Sequence, residues 1–191
     1  MTREEWLNKM VSRLKPRFEA QSATIPALLR VSIGFPSRGA LSSKHRRIGE
    51  CWNAEASSDE HHEIFLSPLL DLSETCSTLM HELVHACLPP KTKHGPAFKR
   101  LGEAVGLIGK PSSMSAGPTL AEELARMAIE IGPWPSSCLN ITSFPKTQGT
   151  RLIKVECASG SGYCARVTRK WIDKVGTPIC PCHQNGMIVK E

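Results

Sequence analysis

Among its 191 residues the chain has one tyrosine, 5% aromatic residues, no CxxC pair and no apolar run of membrane-spanning length. The last absence excludes a helical membrane protein. The opening stretch MTREEWLNKMVSRLK lacks the apolar segment and small-residue cleavage site of a secretory signal, so a reducing cytoplasm is expected. There is no internal repeat and no low-complexity tract. Hydrophobic content of 40% with 22% charged residues argues against disorder and fibrous structure. A chain of this length accommodates one main core plus a small appendage.

In such a compartment the eight cysteines favour burial or metal binding over disulfides. Cys51, Cys76, Cys87 and Cys138 are scattered beside small or apolar neighbours and read as inert core thiols. Cys157, Cys164, Cys180 and Cys182 crowd into the C-terminal segment instead. Charge is equally uneven: from Asn140 onward eight Lys/Arg face three acids, which places +5 of the net +6 there. A basic patch of this kind suits polyanions, nucleic acid first, or else serves as a solubilising surface.

TREEWLNKMVSRL begins with Thr2 and Glu5 at capping-box spacing, and Trp6, Met10, Leu14 and Phe18 fall on one helical face, with Pro16 expected to kink or end the helix. LLRVSIGF, RRIGECWNAE and HEIFLS read as strands of a small antiparallel sheet. Helices are expected from Ser73 to Leu88, from about Gly95 with Phe98, Leu101, Ala104 and Val105 buried, and from about Thr119 to Gly132. The fold class is therefore α+β, with domain boundaries at 1–139 and 151–191 and a turn-rich linker at 140–150.

The stretch LMHELVHACLPPKTKHGPAF carries the chemistry. His81 and His85 stand four residues apart, on one face of a predicted helix, where both imidazoles reach one ion. Glu82 adjoins them, placed to touch a water on that ion without ligating it. Seven histidines and fifteen glutamates give HExxH by chance roughly 0.02 times in a chain of this length, so the motif has weight but needs context. Zinc in a catalytic site takes three protein ligands and a water. His94, after the PPKTK turn, is the natural third ligand, and Glu103 is the alternative. A closed site with a fourth protein ligand, or histidines held only by hydrogen bonds, is the non-catalytic reading of the same residues.

IFLSPLL, TLMHELVHA and HGPAFKRLG resemble the SprT-like, Spartan-related family of zinc metallopeptidases, from about Pro26 to the C-terminus, in the bacterial and phage arrangement with a terminal zinc ribbon. The resemblance implies a minimal zincin-like domain, His81, His85 and His94 as zinc ligands, and Glu82 as the catalytic residue. It implies a protein or peptide substrate, one associated with DNA in the family's eukaryotic member. Zinc would bring a bound water's pKa toward about 7, and Glu82 would take its proton and pass it to the leaving amine. Tyr163, the only tyrosine, is poorly placed to assist.

The C-terminal module departs from that family's pattern. Two CxxC knuckles are expected of a ribbon, whereas here Gly160 and Ser161 precede GY, and Cys180 and Cys182 are one residue apart. Cys157, Cys164, Cys180 and Cys182 form the candidate structural zinc site, with His183 as substitute; packing alone is the other way to hold the module. Arg166, Arg169, Lys170 and Trp171 are candidate nucleic-acid contacts, although Trp171 also reads as a core residue of the ribbon. The competing function is a nucleic-acid-binding or adaptor protein in DNA metabolism or transcription, in which both metals are structural.

Overall fold

The computed structural model describes residues 1–42, 44–90, 92–140 and 152–190. It contains two compact units, Met1–Thr142 and Ser143–Glu191, each built from helices and strands. Apart from Asn140, the expected linker at 140–150 lies outside the described residues. Leu139 belongs to the first unit, since its backbone N–H donates to the Pro68 carbonyl at 2.8 Å. No helix among the described residues is long and apolar enough to cross a membrane.

Helix α1 (Arg3–Glu19) starts at the expected capping box: Thr2 Oγ1 accepts from the Glu5 N–H at 3.1 Å, and Glu5 Oε2 accepts from the Thr2 N–H at 2.7 Å. It does not stop at Pro16. The proline is exposed, so the carbonyl it leaves without a partner can turn to water, while Phe18 in the last turn is fully buried. Burying a phenylalanine is worth roughly 1.5–3 kcal/mol, enough to offset most of the roughly 3 kcal/mol cost of an interior proline.

Strands β1 (Leu29–Ile33), β2 (Gly49–Trp52) and β3 (His62–Leu66) form one sheet in the order β1-β3-β2. β2 is antiparallel to β3, with Gly49 opposite Leu66 and Cys51 opposite Ile64, but β1 runs parallel to it, with Val31 opposite Ile64. The sheet is thus mixed rather than wholly antiparallel. The strand with the most deeply buried residues, β3, takes the centre with Ile64 and Leu66 facing inward. The long excursion from Ile33 to His62, which includes β2, provides the crossover that parallel pairing requires.

Helix α2 (Leu72–Ala86) is capped by Asp71, whose Oδ1 accepts from the Glu74 N–H at 2.7 Å while Glu74 Oε2 accepts from the Asp71 N–H at 3.1 Å. From Thr75 to Val84 only Ser77 is not buried, the mark of a helix enclosed on all sides. It packs against β2, β3 and three later elements: α3 (Pro96–Ala104), β5 (Ser115–Ala116) and α4 (Pro118–Ile131). β5 pairs with β4 (Leu107–Ile108). On α3, Phe98 and Gly102 are buried; Ala104, expected in the apolar stripe, is exposed at the helix end.

The second unit has a sheet of β6 (Ile153–Glu156), β7 (Cys164–Val167) and β8 (Ile188–Lys190) in the order β7-β6-β8, all antiparallel, with a short helix α5 (Arg169–Val175). Its small core is Val155, Cys157, Cys180 and Met187.

Candidate metal centre

Capping at Asp71 fixes where α2 begins, and His81 and His85, one turn apart, meet the segment that leads into α3. That segment tightens at Pro89, whose carbonyl accepts from the Thr92 N–H at 3.1 Å and from Thr92 Oγ1 at 2.7 Å, and Lys93 takes a positive φ of 48°. His94 is thereby folded back over α2. Its Nε2 lies 3.2 Å from His81 Nε2 and 3.1 Å from His85 Nε2.

Tetrahedral ligands at about 2.0–2.1 Å from zinc stand about 3.3–3.4 Å apart, which both distances to His94 fit, and the three ligand nitrogens all lie within 4.8 Å of one another. His81 Nδ1 is 3.2 Å from the Met114 carbonyl, which can only accept. This assigns the proton to Nδ1 and leaves Nε2 bare toward the other rings. A proton can bridge only one pair of the three nitrogens at a time, whereas a cation satisfies all three. Among the described residues no fourth His, Cys, Asp or Glu joins the group.

Electrostatics favour ligation. Burial lowers His81 to about 4, with the His94 charge adding to it and the Met114 hydrogen bond opposing it. Burial, then the charges of His81 and His94, lower His85 to about 3, and burial lowers His94 as well. All three rings are consequently neutral at pH 7, the form that binds metal.

Glu82 is 6% exposed and not part of the ligand group. Burial raises its carboxyl to about 8, an effect that Arg47 opposes and Glu50 reinforces. Glu103, the alternative ligand, sits half-exposed on the outer side of α3, 3.8 Å from Lys99 Nζ.

Two further residues complete the site without any local signal for that role. Phe98, fully buried, places its ring centroid 4.8, 4.3 and 4.9 Å from those of His81, His85 and His94, backing all three. Its helical periodicity marks it only as core. Met114 contributes a backbone carbonyl, to which side-chain identity gives no clue. Of the scattered cysteines, Cys51, Cys76 and Cys87 are pushed up to about 12 by burial and are inert thiols. Cys138 is exposed rather than core, held by a hydrogen bond to the Leu70 carbonyl at 3.1 Å.

In the second unit the structure brings together Cys157, Cys180 and His183, with ligand atoms within 4.8 Å of one another and Cys157 Sγ 3.3 Å from His183 Nδ1. Buried Cys180 and exposed His183 come from one tight turn, in which the Cys180 carbonyl accepts from the Gln184 N–H and the Asn185 carbonyl from the Cys180 N–H, each at 2.8 Å. Hydrogen bonds from Ser161 lower the Cys157 thiol to about 6, so a thiolate is available at neutral pH.

Cys164 does not join them. It pairs across the ladder with Glu156, one residue out of phase with inward-facing Val155, and therefore lies on the opposite face of the sheet. Cys182 is exposed and also outside the group. His183 thus stands in the cluster where two of the four expected cysteines do not.

Of the candidate nucleic-acid contacts, Arg166 and Arg169 line an open groove of about 570 Å³ together with Lys154, Lys190, Glu156 and apolar Leu152, Ile153 and Val189. Lys170 and Lys174 place their Nζ atoms 5.9 and 5.4 Å from the Trp171 ring centroid. Trp171 is 51% exposed, which rules out the core reading of that residue.

No protein-family model, curated protein or solved structure matches the chain.

Proposed function

We propose that the first unit is a zinc-dependent metallopeptidase of the SprT-like type, with a zincin-like core and His81, His85 and His94 as ligands. The observation that carries this reading is the convergence of His94 Nε2 on the Nε2 atoms of His81 and His85, at 3.2 and 3.1 Å, with a buried carboxylate next in sequence to His81 that is not itself in the ligand group. Zinc bound there would supply Lewis acidity and bring a coordinated water toward a pKa of about 7. Glu82 would be held ionised by the neighbouring dication, accept the proton released as the peptide carbonyl is attacked, and deliver it to the departing amine. Phe98 would keep the three rings in place, and the Met114 carbonyl would hold His81 in its ligating tautomer. A positioned general base typically contributes about a hundred- to ten-thousandfold.

The second unit would hold a structural zinc through Cys157, Cys180 and His183. The test is metal analysis with proteolysis of casein, histone and a protein crosslinked to DNA, each with and without DNA, comparing the parent with Glu82→Gln. Cleavage by the parent alone, with equal zinc in both proteins, supports the proposal; equal activity in both refutes the role of Glu82. The basic groove favours a second reading, a nucleic-acid-binding adaptor whose metals are structural. DNA binding that weakens steeply with salt, in a protein without peptidase activity and unable to bind a small hydroxamate, would favour it.

A further inference from the structure

We infer that Gly49 is a positioning residue for Glu82, and that the missing side chain at this strand position makes the space in which the carboxylate rests. The inference depends on the reading of Glu82 as proton acceptor. Gly49 is a buried residue at the start of β2, paired with Leu66 of the central strand. Its φ is not positive, so its backbone is one that any residue adopts, and conformational freedom does not explain a glycine there. Strand positions ordinarily disfavour glycine unless something approaches the backbone closely.

What approaches is α2. A Cβ at position 49 would stand 2.4 Å from Glu82 Oε1, 3.0 Å from Glu82 Cδ and 2.6 Å from Thr78 Cγ2, all far inside van der Waals contact. The groups that could yield are unequal. The β2 backbone is fixed by its ladder to β3 and, next to Gly49, by the Ser67 N–H donating to the Ile48 carbonyl at 2.9 Å. Thr78 is β-branched, buried and on a helix enclosed by the core, so its methyl can move only a little. The Glu82 carboxylate is the free end of three rotatable bonds. It moves first, and the imidazoles, which project toward α3 and the Pro89 turn, stay where they are.

Gly49→Ala should therefore fold, bind zinc at both sites as the parent does, and lose kcat by at least tenfold at unchanged KM. Its crystal structure should show the Glu82 carboxylate displaced by roughly an ångström or more around an unaltered histidine triangle. Glu82→Asp, which shortens the side chain by one methylene, should cost activity in the parent but cost less, or restore activity, in the Gly49→Ala background. A Gly49→Ala structure with the carboxylate in place overturns the inference, as do losses that simply multiply. So does failure of both Gly49→Ala and Gly49→Ala/Glu82→Asp to fold. The displaced carboxylate is read without any turnover assay, and Glu82→Gln separates the two claims: full activity there defeats the role of Glu82 itself, while an inactive Glu82→Gln beside a fully active Gly49→Ala defeats only the role of Gly49.

Discussion

Replacing Glu82 with glutamine should stabilise the chelator-stripped protein, and increasingly so as pH rises. Glu82 is 6% exposed, and burial carries its carboxyl from 4.5 to about 8. No hydrogen bond from a described residue supports the ionised form. A group raised in the folded state contributes its stability in full below the unfolded value and loses it as pH climbs through the folded one. Between pH 4.5 and 7 that loss runs over two and a half pH units at about 1.4 kcal/mol each, roughly 3 kcal/mol in the parent. Glutamine does not titrate and escapes it.

His81 and His85 act in the opposite sense, costing stability as pH falls from 6.5 toward about 4 and 3. Both proteins carry them, so they cancel in the difference. At about 2–4 °C per kcal/mol the gap in melting temperature should open from near zero at pH 4.5 to about 6–12 °C at pH 7. Thermal melts followed by circular dichroism in excess chelator measure it. A gap independent of pH, or a glutamine variant that is the less stable at pH 7, would mean that the metal-free carboxylate is paired rather than merely buried, and would refute the reasoning.

If both proposed sites fill with zinc, His94→Ala should lower the bound metal from two equivalents to one by elemental analysis, since two imidazoles alone hold zinc poorly. Phe98→Ala should destabilise the first unit by about 3–5 kcal/mol in urea unfolding and weaken its zinc at the same time, because it removes both a filled core position and the backing of three ligands. In the second unit Cys180→Ser and His183→Ala should each abolish metal binding, whereas Cys164→Ser, on the far face of the sheet, should leave it intact; metal lost equally in all three would contradict the placement of Cys164.

Local chemistry made much of this structure legible. The Thr2/Glu5 spacing, the i to i+4 histidines and the Gly95-Pro96 helix start each declare an element or a site through interactions within a few residues. The misses are of another kind. The parallel β1–β3 pairing joins segments separated by the whole of β2, and nothing in either strand encodes the order. Pro16 was outvoted by Phe18, a tertiary effect. Cys164 has the right residue type at a plausible spacing but the wrong strand parity, which emerges only once its pairing with Glu156 is known. The Met114 carbonyl is invisible because every residue has one.

The candidate ligand set, its backing ring and the carbonyl that sets the His81 tautomer all come from one continuous run between Leu72 and Ala116. The loops that close that run are short, so its contacts are local in sequence. The strand beneath Glu82 belongs to an earlier part of the chain. On the proposed reading, losing that strand's pairing would remove the seat of the carboxylate without removing any of the three imidazoles, so metal content would be a poor measure of how many molecules in a preparation are active.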